Sequence, residues 1–331
     1  MSGSKNKAVT ASAPAKVILF GEHFVVYGQP AIVLAIDRRA SATAEYGKDE
    51  RISINSVDLR LAGTFKGKRF QASKGGEKAR LKLEPTRSAV QQVLETAGTK
   101  KGVNLSIKSN IPIAAGLGSS AAVATATVVA VSRLLEVDLS KEQIFRMAYE
   151  SERLVHGTPS GIDPAIATYG GALQFQRGKD FVNLGVQTSI PLVIGNTKVE
   201  RSTGELVAKV RQVQGSFSSI MDLILISGAR TALLAVDELR KGNLQSVGKL
   251  MNINHGLLSA LGVSHESLER LIYASRNAGA YGAKLTGGGG GGCMIALAEE
   301  NKLKKVMNAI ERAGGIAFEA RKSDEGVRIE S

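Results

Sequence analysis

The chain has 331 residues, 43% of them hydrophobic, and its 43 Lys and Arg against 30 Asp and Glu give a net charge of +13. That length favours two domains over one core, and the lone cysteine, Cys293, excludes an intrachain disulfide framework and any multi-cysteine metal site. Tryptophan is absent and aromatics are few, which argues against an extended base-stacking surface for single-stranded nucleic acid.

The basic residues are scattered except around residues 66–80, and no arginine-rich arm or zinc-finger spacing accompanies them. A solvated basic surface is the better reading than a nucleic-acid site. The first ten residues lack an apolar signal core, and no apolar run reaches the roughly 18 residues of a membrane span. We expect a cytoplasmic protein with neither nucleic acid nor membrane as partner.

In chain order, residues 16–20 (KVILF) and 31–36 read as strands around a turn at residues 28–30, and residues 41–46 and 51–55 continue the pattern. Residues 60–83 are basic and weakly patterned and are expected to form a surface excursion. A helix follows over residues 88–97 and a strand over residues 103–107.

Residues 111–123 read IPIAAGLGSSAAV. Glycine bends the backbone at no steric cost, and the following alanines favour a helix whose free N–H groups and dipole point back into the loop. Such a loop is a phosphate cradle, here formed by Pro112, Ile113, Ala114, Ala115, Gly116, Leu117, Gly118, Ser119, Ser120, Ala121 and Ala122. Its spacing is neither that of a Walker loop nor that of a dinucleotide-binding loop, and taken alone it could equally be a tightly packed strand-to-helix connection.

The cradle helix is expected to run to about Leu135. Ser140 and Gln143 form a capping-box signature for the next helix, which carries Glu152 near its end. HGTPSG at residues 156–161 stops it, and residues 162–167 restart a helical turn. Paired glycines at 170–171 and the turn near residue 178 finish a first domain, placed at residues 1–187. The second, residues 188–331, begins with a strand at 190–194 and a capping box of Ser202 with Glu205. Helices near 205–213, 216–240, 244–261 and 265–278 come next. A six-glycine run then leads into a strand at 293–297, a helix near 301–313 and strands near 316–320 and 326–329.

Three stretches stand in order: APAKVILFGEH at residues 13–23, the glycine-serine loop, and KLTGGGGGG at residues 284–292. Together they resemble the GHMP kinases over nearly the whole chain. GEHFVVYGQPAI at 21–32, HGTPSGID at 156–163 and NTKVERST at 196–203 are similar to the mevalonate kinase branch of that family.

The resemblance implies an α+β fold of two domains, ribosomal-protein-S5-like then ferredoxin-like, with ATP and Mg²⁺ held mainly by the first. It implies ATP-dependent phosphorylation of the 5-hydroxyl of mevalonate by a homodimer. By the same resemblance Ser120 and Glu152 hold the metal, although the residues alone leave Ser119 equally open. Asp163 serves the acceptor hydroxyl, Lys16 faces Asp163, and Glu22, His23 and Thr197 meet the acceptor.

Each of these residues also has an ordinary structural reading. Glu152 could be a helix carboxylate beside Arg153, Asp163 an N-cap, Lys16 an edge-strand gatekeeper, His23 a turn histidine and Thr197 a turn-capping hydroxyl. A kinase for phosphomevalonate or another small alcohol stays open, as does a catalytically silent binding protein of the same fold.

Overall fold

The computed structural model describes residues 8–112, 115–156, 160–200 and 203–330. Strand β1 (Val9–Phe20) turns Ala11, Ala13, Ala15, Val17 and Leu19 into the core, and the intervening Lys16 and Ile18 point the other way. It pairs antiparallel with β2 (Ala31–Tyr46), with register shifts after Pro14 and after Ile18. The two short strands expected at 31–36 and 41–46 are therefore one. The polar Asp37-Arg38-Arg39 between them stays in the strand because Arg39 bonds the backbone oxygens of Ser12 and Gly326 across it, at 2.9 and 2.7 Å.

The first half continues with β3 (Ile52–Ser56), β4 (Leu61–Lys66), β5 (Arg69–Lys74), α1 (Gly76–Thr96), β6 (Val103–Ser109), α2 (Ser119–Leu134) and α3 (Lys141–His156). It closes with α4 (Ile162–Tyr169), β7 (Ala172–Phe175) and β8 (Val182–Asn183). Residues 60–83 are thus two strands and half a helix, not an excursion. At this outer edge β5 is almost wholly exposed, so it lacks the alternation that betrays a strand, and Pro85 sits inside α1, where a proline normally reads as a break. The expected capping box at α3 is present, with Gln143 Oε1 accepting from the Ser140 amide and Ser140 Oγ from the Gln143 amide.

The second half consists of β9 (Pro191–Asn196), α5 (Thr203–Ser216), α6 (Ser218–Arg240), α7 (Leu244–Ala260), α8 (Glu266–Asn277), β10 (Gly282–Leu285), β11 (Cys293–Leu297), α9 (Leu303–Arg312) and β12 (Ile316–Arg321). Its sheet is antiparallel in the order β10-β11-β9-β12, the ferredoxin-like order. The last strand, β13 (Arg328–Glu330), returns to the first sheet, whose order is β13-β1-β2-β6-β3-β4-β5 with β7 attached to β2 and β8 to β7.

Helix α2 is the axis of the first half. It lies on β1 and β2 and is covered by α1, α3 and α4, which buries nearly all of its alanine and valine side chains. Small residues let the helix approach the sheet closely, and burial on all sides overrides the modest helix propensity of Thr125 and Thr127. That packing fixes the N-terminus of α2 beside the middle of β1.

Candidate active site

Gly118, in the left-handed conformation with φ +76°, precedes α2 without any side-chain cap, so the first amides of the helix are left to a ligand. Gly116 and Ser120 are exposed, Ser119 is half-buried, and Leu117 and Ala121 are buried. The amide of Ala122 already bonds Gly118 O at 3.0 Å, so its N–H belongs to the helix ladder. Ile113 and Ala114 lie outside the described residues, and Pro112 is half-buried at the loop's start.

The loop is tied to β1, since the Lys16 amide donates to Leu117 O at 2.9 Å. A Cβ on Gly118 would stand 3.0 Å from Lys16 Cγ and 3.5 Å from Asp163 Oδ2, so only glycine lets the loop lie this close to both. Lys16 Nζ meets Asp163 Oδ1 at 3.2 Å, with the Asp163 side chain 27% exposed in the first turn of α4.

Glu152 comes in from α3. It is buried, its Oε2 has no hydrogen-bond partner, and burial, then the charge of Asp163, push its pKa up to about 8 against the pull of Lys16. A buried carboxylate with an open oxygen, on the helix packed against α2, fits a magnesium ion held with a phosphate chain. Among the described residues no cluster of three His, Cys, Asp or Glu could hold a metal ion.

The corner after β1 carries Glu22 and His23. His23 has φ +59°, a conformation that costs a non-glycine residue energy and recurs at functional sites. Its Nε2–H donates to Gly288 O at 2.9 Å. Glu22 is buried and ion-paired with Lys284, itself fully buried on β10. Burial raises the pKa of Glu22 and lowers that of Lys284, and their mutual attraction opposes both shifts.

Thr197 is buried at the end of β9, where its amide and hydroxyl both donate to Gly292 O, at 2.9 and 3.0 Å. The glycine run is accordingly a constrained loop, pinned also by Gly290 to Val263 O and Gly292 to Val199 O. Cys293 is buried, as a small apolar residue would be.

The structure therefore brings Lys16, Asp163, Glu152 and the loop 115–120 together, with Glu22 and His23 on the same strand end. Thr197 stands on the second sheet and reaches this region through the glycine run. Two residues escaped the sequence reading. Lys284 pairs with Glu22, and Thr286 Oγ1 both accepts from the Ile18 amide at 3.0 Å and donates to Ile18 O at 2.9 Å. Their signal was present in KLT at the head of the glycine run, a lysine in an apolar strand like Lys16.

An uncapped helix N-terminus, a lysine-aspartate pair and a buried carboxylate are the kinds of group that phosphoryl transfer uses. The GHMP kinases N terminal domain matches residues 85–171 and the GHMP kinases C terminal domain residues 235–316. The chain belongs to the GHMP kinases. Within that family it falls among the mevalonate kinases. It is 48% identical to mevalonate kinase of Thermococcus sibiricus, over 97% of this chain and 98% of that one, and 46% identical to that of Pyrococcus abyssi over 98% of each. The crystal structure of L. major mevalonate kinase in complex with R-mevalonate superposes with a TM-score of 0.82 at 28% identity, covering 94% of this chain and 95% of that one.

Proposed function

We propose that the chain is a mevalonate kinase, transferring the γ-phosphoryl group of ATP to the 5-hydroxyl of mevalonate with Mg²⁺, an early step of isoprenoid synthesis. The observation that carries the reading is Lys16 and Asp163, paired at 3.2 Å directly beneath the loop that opens α2. Residues 1–187 supply the nucleotide site and residues 188–331 close the cleft.

Amides of residues 116–121 hold the phosphates at the positive end of α2. Ser120 and Glu152 would hold magnesium, which would supply positive charge to offset that of the phosphates. The acceptor hydroxyl hydrogen-bonds to Asp163 Oδ2, the oxygen not engaged by Lys16 in the 3.2 Å contact. As its oxygen bonds to the γ-phosphorus and the bond from that phosphorus to the β-bridging oxygen breaks, the hydroxyl proton passes to Asp163 and ADP leaves. Lys16 stands where negative charge develops on the attacking oxygen. Glu22, His23 and Thr197 shape the acceptor end.

Helix α6 is the one helix among the described residues long and apolar enough to cross a membrane. Its Met221, Leu225, Gly228 and Ala232 are buried, as befits a core helix of a cytoplasmic enzyme. Its opposite side exposes Ile220, Leu223, Ile226, Leu233 and Leu234, and a second copy of the chain covers that face in a homodimer.

The test is a panel of mevalonate, phosphomevalonate, galactose and homoserine, each with ATP and Mg²⁺ and read by ADP release. Mevalonate is expected to give the highest kcat/KM. A clear preference for another alcohol would overturn the substrate, and ADP release with none of them would overturn the kinase.

A further inference from the structure

From β10 into the turn that follows it, Lys284, Thr286 and Gly288 meet the end of β1 and the corner after it. Lys284 pairs with Glu22, Thr286 Oγ1 bridges the amide and carbonyl of Ile18, and Gly288 O receives the His23 Nε2–H. Lys284 and Thr286 do so as alternate residues of an extended chain, and Gly288 from the turn that follows, so the second sheet grips both the strand that carries Lys16 and the corner after it.

Lys284 is 0% exposed and spends two of its three N–H donors on Glu22 Oε1 and on Leu285 O. The other oxygen of Glu22 is buried with no hydrogen-bond partner. Glu22 faces Lys284 from β10 and Lys16 from its own strand. Lys16 in turn faces Asp163 from α4 and Glu152 from α3. His255 of α7 lies behind Lys284, its Nδ1 accepting from the Leu285 amide at 3.5 Å and its Nε2–H donating to Glu269 at 3.1 Å. Signs alternate from the second sheet into the cleft: Lys284, Glu22, Lys16, Asp163.

We propose that Lys284 is a positioning residue for phosphoryl transfer: by neutralising Glu22 from the second sheet, it leaves Lys16 committed to Asp163. Without the Lys284 ammonium, the cation that remains near the buried Glu22 carboxylate among the described residues is Lys16, and the open oxygen of Glu22 draws that ammonium off Asp163. In a low-dielectric interior an unpaired carboxylate finds whatever counter-charge is in reach. The inference rests on the mevalonate kinase reading, because it takes Asp163 to serve the acceptor hydroxyl.

The test compares Lys284→Met, Glu22→Gln and the double variant. Folding is checked by melting, Mg·ATP affinity by titration calorimetry, and turnover with mevalonate by ADP release. For Lys284→Met, kcat is expected to fall by about 100-fold with Mg·ATP affinity within about threefold of the parent. Glu22→Gln and the double variant are expected to turn over alike and about tenfold faster than Lys284→Met, because removing the stray carboxylate frees Lys16 again.

A folded Lys284→Met whose kcat equals or exceeds that of the double variant overturns the proposal. Where Lys284→Met does not fold, the double variant is read against Glu22→Gln. Equal kcat supports an action of Lys284 through Glu22 alone, and a further fall of tenfold or more overturns it. A parent protein that releases no ADP with mevalonate would instead count against the kinase reading, so the two failures are distinguishable.

Discussion

Asp163 and Glu152 are two carboxylates in one cleft whose surroundings drive them toward different work. Asp163 is partly exposed and held by Lys16, whereas Glu152 is buried with one oxygen lacking a partner and its pKa raised to about 8. Replacing Asp163 by Asn keeps the shape and removes the charge that pairs with Lys16 and that we propose serves the acceptor hydroxyl, so kcat should drop by about 10²- to 10⁴-fold with Mg·ATP affinity little changed. Replacing Glu152 by Gln should instead raise the Mg²⁺ concentration needed for half-maximal rate, with a milder defect at saturating metal. Steady-state kinetics over a magnesium series separates the two. Near-native turnover in Asp163→Asn would remove its role, and a metal defect confined to Asp163→Asn would exchange the two carboxylates.

At the scale of elements, the acceptor corner depends on a helix far from it in sequence. Phe24, next to His23, is fully buried against Gly228 of α6, where an added Cβ would lie 2.6 Å from the ring. Gly228→Ala should overpack that contact by about 1 to 3 kcal/mol and tilt the corner. A lower melting temperature together with a several-fold higher KM for mevalonate, at unchanged Mg·ATP affinity, is expected. A lower melting temperature with an unchanged KM would mean that α6 supports the fold without setting the corner. The strand carrying Lys16, the loop into α2 and the long helices of the second half were legible, because apolar periodicity and glycine-serine punctuation are local signals. Strand β5 and the first half of α1 were not, since an exposed edge strand has no buried face to alternate with and Pro85 imitates a stop. The pairing of Glu22 with Lys284 was equally silent: the partners are 262 residues apart, and nothing short of the packed fold brings them together.

At the scale of the whole molecule, the exposed apolar stripe of α6 sets the expected assembly. Leu223 and Ile226, 66% and 52% exposed, lie at its centre. The double substitution Leu223→Glu, Ile226→Glu should convert a dimer into a monomer in sedimentation velocity, because carboxylates there cannot be desolvated against a second copy. A parent protein that sediments as a monomer would discard the dimer. The first sheet, meanwhile, is bounded on one side by the last strand of the chain, with Thr10 paired to Glu330. During synthesis β1 and β2 emerge early, but the strand that covers the outer edge of β1 comes some 280 residues later. At a ribosomal pace of 5 to 20 residues per second that is a wait of roughly 15 to 60 seconds. Throughout it β1 offers open backbone to any passing strand, so the nascent chain is most in need of a chaperone while β1 waits and is released from that need when β13 pairs with it.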